Sequence, residues 1–353
     1  MKTINILYWD AGKSSFVLKD LTILNSQFKV YDYTFKAKNN FSIIFELTKQ
    51  FFITVYRAFA CDVVICQFSG YHSLIPLFVF KLLRKKRIIV AGGTDCVAFP
   101  SIKYGNFQKK YLKWFTKKSF QLSNYILPVD ETLIQYDYTY QNGDYKKQGY
   151  RTFIKNLNAI DKVIYNGYDY NLFNILDSNR KYKSFLTVGA NLKTPFGPKL
   201  KGIDLIIEVS KLFKDYTFAI VGGKGFNEND LPENVILLDN IPNAELPELY
   251  NQYEFYMQLS MSEGFPNSLC EAMLCGCIPI VSNVGAMPKI IENTSGYVLE
   301  QKDINKLKQI LEKIRSVSIE PEQRIIVRNK IMTHYTIENR KEELMSLIES
   351  FSK

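Results

Sequence analysis

Residues 262–283 read SEGFPNSLCEAMLCGCIPIVSN and hold the most informative pattern in the chain. A glycine-containing turn precedes a stretch of helical character at about 267–274, and an apolar run follows at 278–281. Ser268 and Glu271 have the spacing of a capping box, in which two side chains satisfy the first amides of a helix. Gly276 is placed to end that helix. The stretch therefore predicts a turn, a helix and a buried strand in succession.

The same alternation extends in both directions, since short β-branched runs alternate with amphipathic stretches, as in βαβ units of parallel sheets. The first series has predicted strands at 4–8, 28–33, 62–66, 87–91, 125–128 and 162–165, with a helix at 41–59. The second has predicted strands at 184–189, 216–222, 235–238, 255–258, 278–282 and 297–299. A turn-forming cluster at 166–169 separates them. We therefore expect an α/β protein with domains at 1–168 and 169–336, and a final helix at 337–353 long enough to cross back to the first domain.

Composition restricts the class of protein. The chain of 353 residues with 46% apolar content can form two cores, and no signal-peptide or membrane-spanning pattern is present, so we expect a cytoplasmic location. We expect the six cysteines to be free and buried. With only two histidines, the chain offers too few metal ligands at usable spacing, and we expect no metal and no other cofactor.

Charge is distributed unevenly. Residues 1–170 carry 24 Lys and Arg against 12 Asp and Glu, whereas the remainder carries 21 against 23. The basic first half suits an anionic partner: a phosphate-linked acceptor, an acidic membrane surface or a nucleic acid. The alternative explanation is that the excess of basic residues only keeps the protein soluble.

A helix that begins directly after a glycine turn presents unpaired amides and roughly half a positive charge, which makes it a candidate diphosphate site. Glu263 and Glu271 flank that helix end, and each carboxylate is expected to face hydroxyls and not phosphates. Taken singly, Glu271 could be only the capping acid and Glu263 only a solvated loop residue.

The spacing of these two glutamates, the Gly264-Phe265-Pro266 turn and the Gly276-x-x-Pro279 exit resemble the sugar-nucleotide motif of retaining GT-B glycosyltransferases of family 4. The resemblance covers nearly all of the second domain and is loose over the first. It implies the GT-B architecture, with two Rossmann-like domains facing across a cleft. Further matching pieces are 188–189, 201–204, 220–223, 245–250, 285–288 and the linker-like 166–169 with Phe173.

The resemblance also implies roles for individual residues. Glu263 would face the transferred sugar, Lys201 would neutralise the leaving diphosphate, and Glu271 would accept hydrogen bonds from the ribose hydroxyls. Alternatively, Lys201 is only a solvated lysine at the start of a helix and has no role at the diphosphate. The remaining donor-binding residues would act through their backbone and are Gly264, Phe265, Pro266, Asn267, Ser268 and Leu269.

Two departures from the family pattern bear on the site. Ala190 stands where an arginine is common, so Lys193 or Lys199 would replace that cation. A frequent histidine of the first domain is absent, and Asp95 would take the polar role near the sugar, with an Asx-type turn as the alternative. Gly12 belongs to a Gly-Lys-Ser sequence that lacks the upstream glycine of a P-loop, and it would instead let the backbone approach the acceptor or donor phosphate.

Residues 107–122 plot as an amphipathic helix, with Phe107, Tyr111, Trp114, Phe115 and Leu122 on one side and Lys109, Lys110, Lys113 and Lys117 on the other. One interpretation is a packed helix with a solvated face. The other is peripheral docking on an anionic membrane that carries the acceptor, at the inner face of the cell membrane.

The resulting hypothesis is a retaining hexosyltransferase-type glycosyltransferase that serves surface polysaccharide or glycoconjugate synthesis. Its partners would be a nucleotide-sugar donor and a saccharide or lipid-linked saccharide acceptor, without nucleic acid. Because no Asp-x-Asp occurs, charge neutralisation would come from lysines and the helix end. The alternatives are a sugar-nucleotide epimerase or phosphorylase on the same fold, and a non-catalytic nucleic-acid-binding protein, against which no recognisable nucleic-acid-binding motif appears.

Overall fold

The structure is a computed structural model that describes residues 4–37, 39–177, 179–189, 192–226 and 231–352. The chain divides into two compact units. Unit 1 comprises Met1–Asp137, Lys147–Asn166 and Glu338–Lys353, and unit 2 comprises Tyr138–Lys146 and Gly167–Ile337. Neither unit is a single continuous segment of the chain.

Unit 1 contains a six-stranded parallel sheet in the order β2-β1-β3-β4-β5-β8. The strands of this sheet are β1 (Asn5–Asp10), β2 (Lys29–Thr34), β3 (Val63–Gln67), β4 (Lys86–Ala91), β5 (Tyr125–Pro128) and β8 (Ile160–Asp161). A separate antiparallel pair is formed by β6 (Tyr136–Asp137) and β7 (Lys147–Gln148). The helices of unit 1 are α1 (Ser15–Asn25), α2 (Asn40–Ala58), α3 (Tyr71–Leu82), α4 (Lys110–Leu122) and α5 (Tyr150–Phe153). The β1 and β3 strands, rich in Ile, Leu and Val, are buried, as expected for the centre of a parallel sheet.

Unit 2 repeats this plan with the sheet order β11-β10-β9-β12-β13-β14. The strands are β9 (Lys181–Val188), β10 (Thr217–Val221), β11 (Val235–Leu238), β12 (Tyr253–Gln258), β13 (Ile278–Ser282) and β14 (Tyr297–Leu299). The helices are α6 (Gly197–Lys201), α7 (Ile203–Ser210), α8 (Leu246–Tyr250), α9 (Asn267–Leu274), α10 (Met287–Ile291), α11 (Ile304–Ile314) and α12 (Pro321–His334). All strand pairs in this sheet are parallel, so every carboxyl end lies along one edge.

The last helix, α13 (Ile337–Glu349), lies almost entirely in unit 1. Arg340 is buried there and forms a bidentate ion pair with Asp20 of α1, at 2.6 and 2.7 Å. The same guanidinium donates to the carbonyl oxygens of Ile164 and Tyr165. Four hydrogen bonds from a planar, always charged group fix this helix against the first and second segments of unit 1.

The two parallel-sheet, Rossmann-like folds confirm the predicted α/β class. The predicted strand at 162–165 is wrong, because β8 ends at Asp161, although the amides of Lys162 and Ile164 still donate to β5 carbonyls. The predicted apolar side of residues 107–122 is also wrong in part. Helix α4 starts at Lys110 and buries Thr116, Ser119 and Phe120, while Tyr111 and Trp114 are exposed.

All six cysteines are free and buried, as predicted. Burial raises the pKa of Cys61 to about 11, so this side chain stays a neutral thiol at ordinary pH. Among the helices that the structure describes, none combines the length and apolar character needed to cross a bilayer.

Candidate functional site

The candidate site lies at the carboxyl ends of β9 and β12 in unit 2. From β9 the chain proceeds outward through β10 and β11, then returns to the other side of β9 as β12, β13 and β14. This reversal makes a topological switch point, where open parallel sheets bind ligands. Residues that follow β9 and β12 are therefore the candidates for ligand binding and chemistry.

Glu263, five residues after β12, is held by three donors on a single oxygen. Its Oε1 accepts from Lys201 Nζ at 2.5 Å, from Ser260 Oγ at 2.8 Å and from Gln258 Nε2 at 2.9 Å. The Glu263 side chain is 11% exposed and that of Lys201 is 24% exposed. The structure thus brings two of the predicted site residues into one partly buried, charge-assisted cluster that remains open to solvent.

Gly202 explains why Lys201 reaches this position. It has a φ of +69°, and a Cβ there would lie 2.2 Å from the carbonyl oxygen of Leu259. Only glycine permits the α6–α7 junction to approach the chain after β12 so closely. A second link is the Met261 amide, which donates to the carbonyl of Leu200 at 2.8 Å.

Helix α9 begins at Asn267, after Pro266, with no side-chain cap. The predicted capping box of Ser268 and Glu271 is therefore wrong. Pro266 is the N-cap residue, and the Glu271 carboxylate is engaged elsewhere. The predicted end is confirmed, because Gly276 follows the C-cap with a φ of +78°. Backbone amides of the first turn have no carbonyl one turn back, so this end carries the partial positive charge of the helix.

The opposite end of α9 is fixed by three arginines. Arg328 donates to the carbonyl of Leu274, Arg180 to that of Cys275 and Arg324 to that of Gly276. Cations at a helix C-terminus satisfy its last carbonyls and interact favourably with the helix dipole. This arrangement holds the helix in place by its carboxyl end and leaves the amino end at the site.

Glu271 is buried, one turn into α9. Its two oxygens accept from Asn243 Nδ2 at 3.1 Å and from the Tyr250 hydroxyl at 3.4 Å. Burial raises the pKa of Tyr250 well above its ordinary value, so its phenol remains a donor. A carboxylate that is already held by two donors has a fixed orientation, which suits it to accept hydroxyl groups of a ligand.

The turn before α9 is anchored by aromatic packing. Phe265 is buried, with its ring 6.2 Å from that of Tyr168 and 5.3 Å from that of Tyr335. The Tyr168 hydroxyl donates to Asn267 Oδ1 at 2.6 Å. Gly264 and Pro266 are buried beside Phe265, and Leu269 is fully buried. For Phe265 and Leu269, only the backbone is placed to contact a ligand.

Other predicted residues lie elsewhere in the chain. Lys193 is exposed after β9, and its Nζ would lie 3.1 Å from a Cβ at Gly225, next to the loop that follows β10. Ala190, where the family pattern has an arginine, lies outside the described residues. Gly12 follows β1 in unit 1, where its amide donates to Asp10 Oδ1 and a Cβ would meet open space.

Asp95, after β4 in unit 1, is 1% exposed and joins two loops. It accepts from the backbone amides of Ser69, Gly92 and Gly93 at 2.9–3.2 Å. Burial raises the pKa of this carboxyl, while the three amides favour its charged form. These bonds give Asp95 the turn-forming role that the sequence left open beside the functional one.

A cavity of about 450 Å³ lies in unit 1 at the carboxyl ends of its central strands. Asp95 lines it together with Phe68, Tyr71, His72, Thr94 and Asn106. His72 Nε2 lies 2.7 Å from the carbonyl oxygen of Gln67 and must donate to it. Burial lowers the pKa of His72, so the ring is neutral and Nδ1 is an acceptor.

The sequence did not assign several of these residues. Gln258, Ser260, Asn243 and Tyr250 hold the two glutamates, and His72 lines the unit 1 cavity. The position of Gln258 and Ser260 at a strand end just before Glu263 was a usable signal. Asn243 offered none, and Tyr250 lay in the matching piece 245–250 without an assigned role, because the contacts of both with Glu271 depend on how residues 243–250 pack beside α9.

In the described ranges, no group of three or more His, Cys, Asp or Glu is placed to bind a metal ion.

The fold defined by these two sheets is that of GT-B glycosyltransferases. Sucrose-phosphate synthase from Thermosynechococcus elongatus superposes with a TM-score of 0.72 and 13% identity, over 98% of both chains. HepE from Anabaena, in complex with UDP and glucose, gives a TM-score of 0.68 and 14% identity over 98% of this chain and 100% of its own. At this identity, the similarity establishes the fold alone.

Residues 171–331 match the model of the family described as Glycosyl transferases group 1. An uncharacterized 41.2 kDa protein in the cps region of Klebsiella pneumoniae is 26% identical over 259 residues, which are 69% of this chain and 66% of that protein. The GPI3 subunit of a Saccharomyces cerevisiae phosphatidylinositol N-acetylglucosaminyltransferase is 26% identical over 32% of this chain and 28% of its own length. The matches to these two relatives span two thirds or less of the relatives' own length. Together, the comparisons show the GT-B fold and a match of residues 171–331 to a glycosyltransferase family model.

Proposed function

We propose that this protein transfers a sugar from a nucleoside diphosphate sugar to an acceptor hydroxyl with retention of anomeric configuration. The observation that carries the proposal is the Lys201–Glu263 pair at the switch point of unit 2. The pair and the amino end of α9 both lie after strands of the unit 2 sheet, at its carboxyl edge. Both also lie within the segment that matches the transferase family. A cation, a helix dipole and an oriented carboxylate are the groups that a sugar diphosphate requires.

The donor would bind to unit 2 through complementary charge. Amides of Asn267, Ser268 and Leu269 would hold phosphate oxygens, and Lys201 would neutralise the leaving diphosphate. Glu271, oriented by Asn243 and Tyr250, would accept the ribose hydroxyls. Lys193 would supply a second cation from the loop after β9. No metal or other cofactor is part of the proposal.

Glu263 would contact the transferred sugar, with the backbone of residues 264–266 near the sugar hydroxyls. The bond between the anomeric carbon and the leaving phosphate oxygen breaks, and the acceptor oxygen forms its bond on the same face. The acceptor proton passes to the leaving phosphate oxygen. Stabilisation of charge on that oxygen by Lys201 and α9 would supply much of the rate enhancement.

The acceptor would bind to unit 1, and the cavity beside His72 and Asn106 is the candidate place. The polar residues in its otherwise largely apolar lining, among them Thr94 and Asn106, suit the hydroxyls of a saccharide or a lipid-linked saccharide. A role in surface polysaccharide synthesis is supported only by the relative named for a cps region. A cytoplasmic location completes the proposal.

A thermal-shift panel of UDP-, GDP-, ADP- and CMP-sugars tests donor binding, since a ligand at 100 times its Kd adds about 2.7 kcal/mol of stability. UDP-sugars are the first candidates because HepE binds UDP. Proton NMR of the product formed on a saccharide acceptor then reports the anomeric configuration. If no nucleotide sugar raises Tm or is consumed, the proposed function is wrong, whereas an inverted product would reject retention alone.

A further inference from the structure

Helix α2 in unit 1 carries its apolar and polar residues on unexpected sides. Its buried positions are Gln50, Thr54 and Ala58, and Gln50 Nε2 donates to the carbonyl of His72. Its exposed large apolar side chains are mainly aromatic, and they are Phe41, Ile44, Phe45, Phe51, Phe52, Tyr56 and, just beyond the helix end, Phe59. Surface helices of water-soluble domains normally have the reverse arrangement.

The neighbouring helices extend this apolar surface. Helix α3 packs between α2 and α4 and exposes Phe78 and Leu82, and α4 exposes Tyr111 and Trp114. We call these residues, with those of α2, the outer aromatic face. A groove of about 420 Å³ joins the three helices and is lined mainly by Phe51, Leu74, Phe78, Val79, Trp114 and Leu122. A contiguous apolar surface of this kind marks an interaction site.

The charge on these helices identifies the kind of partner. Their basic residues are Lys49, Arg57, Lys81, Lys110, Lys113, Lys117 and Lys118, and their single acid is Glu46, whose carboxylate lies 3.6 Å from Lys49 Nζ. Lys81 and Lys118 line the apolar groove itself. A second copy of the chain would present the same basic face and be repelled. A surface that is both apolar and anionic is complementary.

We propose that the outer aromatic face docks unit 1 onto an anionic membrane surface. Phe and Leu side chains enter the boundary between headgroups and acyl chains, while Trp114, Tyr56 and Tyr111 lie at the headgroup level. Lys81 and Lys118 extend their charged ends to lipid phosphates and keep their stems along the apolar groove. Helix α2, roughly 28 Å long, lies in the plane of the interface.

Docking through the outer aromatic face needs no nucleotide sugar and is therefore independent of the proposed transferase activity. The sequence predicted membrane contact through residues 107–122 alone. In the proposal made here, the aromatic residues of α2, to which the sequence assigned no role, supply much of that contact.

The two tryptophans of the chain provide a direct measurement. Trp9 is 2% exposed and Trp114 is 52% exposed, so membrane contact should shift the emission of Trp114 to shorter wavelength and leave that of Trp9 unchanged. Vesicles of mixed phosphatidylcholine and phosphatidylglycerol should produce the shift and sediment the protein at low salt. Neutral phosphatidylcholine vesicles should bind weakly. The Trp114→Phe variant should bind without any shift.

A double variant Phe45→Gln/Phe52→Gln should lower vesicle partitioning by about tenfold per ring. The matched control is Ile325→Gln/Ile326→Gln on α12 of unit 2, where both isoleucines are about half exposed, and it should bind like the parent protein. Equal binding by the α2 variant, or an unshifted Trp114, would overturn the proposal. A dimer that the α2 variant abolishes, without vesicle binding, would assign the face to a second copy and reject the membrane. Nucleotide-sugar binding measured on the same samples shows separately whether the proposed function holds.

Discussion

Lys201 Nζ and Glu263 Oε1 lie 2.5 Å apart although the two residues are 62 positions apart in the sequence. The pair joins the end of α6 to the loop after β12, at the switch point of the unit 2 sheet. It keeps a cation and a carboxylate in fixed relation before any ligand binds. Preorganised charge of this kind stabilises a developing anion without the cost of rearrangement.

Replacing Lys201 with Gln should lower kcat by about 10²–10³, the usual cost of removing one oxyanion-stabilising group. Ser260 and Gln258 still hold Glu263, so the fold should persist. Steady-state kinetics and circular dichroism check both points. The control is Lys308→Gln, which breaks an exposed ion pair with Glu312 on α11 and should leave kcat unchanged. Equal kcat in both variants would remove Lys201 from the mechanism.

Gly202→Ala should destabilise the protein and reduce activity. The left-handed backbone costs about 1–2 kcal/mol for a residue with a Cβ, and contact with the Leu259 carbonyl at 2.2 Å adds to it. Gly143→Ala is the matched control, because its φ is +94° but nothing lies within 4 Å. Urea denaturation should show a larger loss for Gly202→Ala. Equal losses would mean that the close approach contributes nothing.

Glu271→Ala should weaken nucleotide binding more than Glu271→Gln. Glutamine keeps an oxygen that can accept one ribose hydroxyl, whereas alanine also leaves Asn243 and the Tyr250 hydroxyl without this partner. Isothermal titration with the nucleoside diphosphate gives the affinities. If both variants bind as the parent does and lose only stability, the role of Glu271 is confined to packing.

Transfer should survive EDTA. At an effective dielectric constant of about 20, a cation about 4 Å from a phosphate charge contributes about 4 kcal/mol before desolvation, which Lys201 and α9 could provide without a divalent ion. The measurement is product formation after dialysis against EDTA. Loss of activity that Mg²⁺ or Mn²⁺ restores would contradict it.

The stability of the protein should decrease, because of His72, as the pH falls below the pKa of the unfolded residue. Burial lowers the pKa of His72 in the folded state, whereas the unfolded residue titrates near 6.5. Below that pH the unfolded chain binds a proton at His72, whereas the native ring stays neutral. The free energy of unfolding therefore falls by up to about 1.4 kcal/mol per pH unit. The His72→Gln variant keeps a donor for Gln67 and should show a smaller decrease in denaturant titrations. Parallel curves for the two proteins would contradict the assignment.

Local patterns predicted much of unit 2. The structure places β11, β13, β14 and α9 at the residues that the sequence indicated. Each is a short run of one periodicity bounded by turn residues, so its type is fixed by its own side chains. Similarity to a known family further led to the prediction that Glu263 and Glu271 bind a sugar nucleotide, which stays a prediction.

Predictions of which side chains are buried were the least accurate, because burial depends on neighbours that lie far away in the sequence. The sequence placed Tyr111 and Trp114 on the apolar side of a helix at 107–122, yet α4 exposes both and buries Thr116 and Ser119. Close packing against α3 selects small side chains for the inner side, and no local pattern reports which side that is. The capping box failed for a related reason, since Glu271 finds its partners on α8 and just before it.

The buried bond between Arg340 and Asp20 has a consequence for biosynthesis. It spans 320 positions, and the helix that supplies Arg340 is made after every strand of both sheets. During translation, unit 1 therefore emerges first but gains the buried partner of Asp20 only when α13 has been synthesised, by which point the residues of the unit 2 sheet have all been made. Deletion of α13 should consequently impair the amino-terminal unit, which lies farthest from it along the chain, and nascent chains halted before Arg340 should expose α1 to proteases.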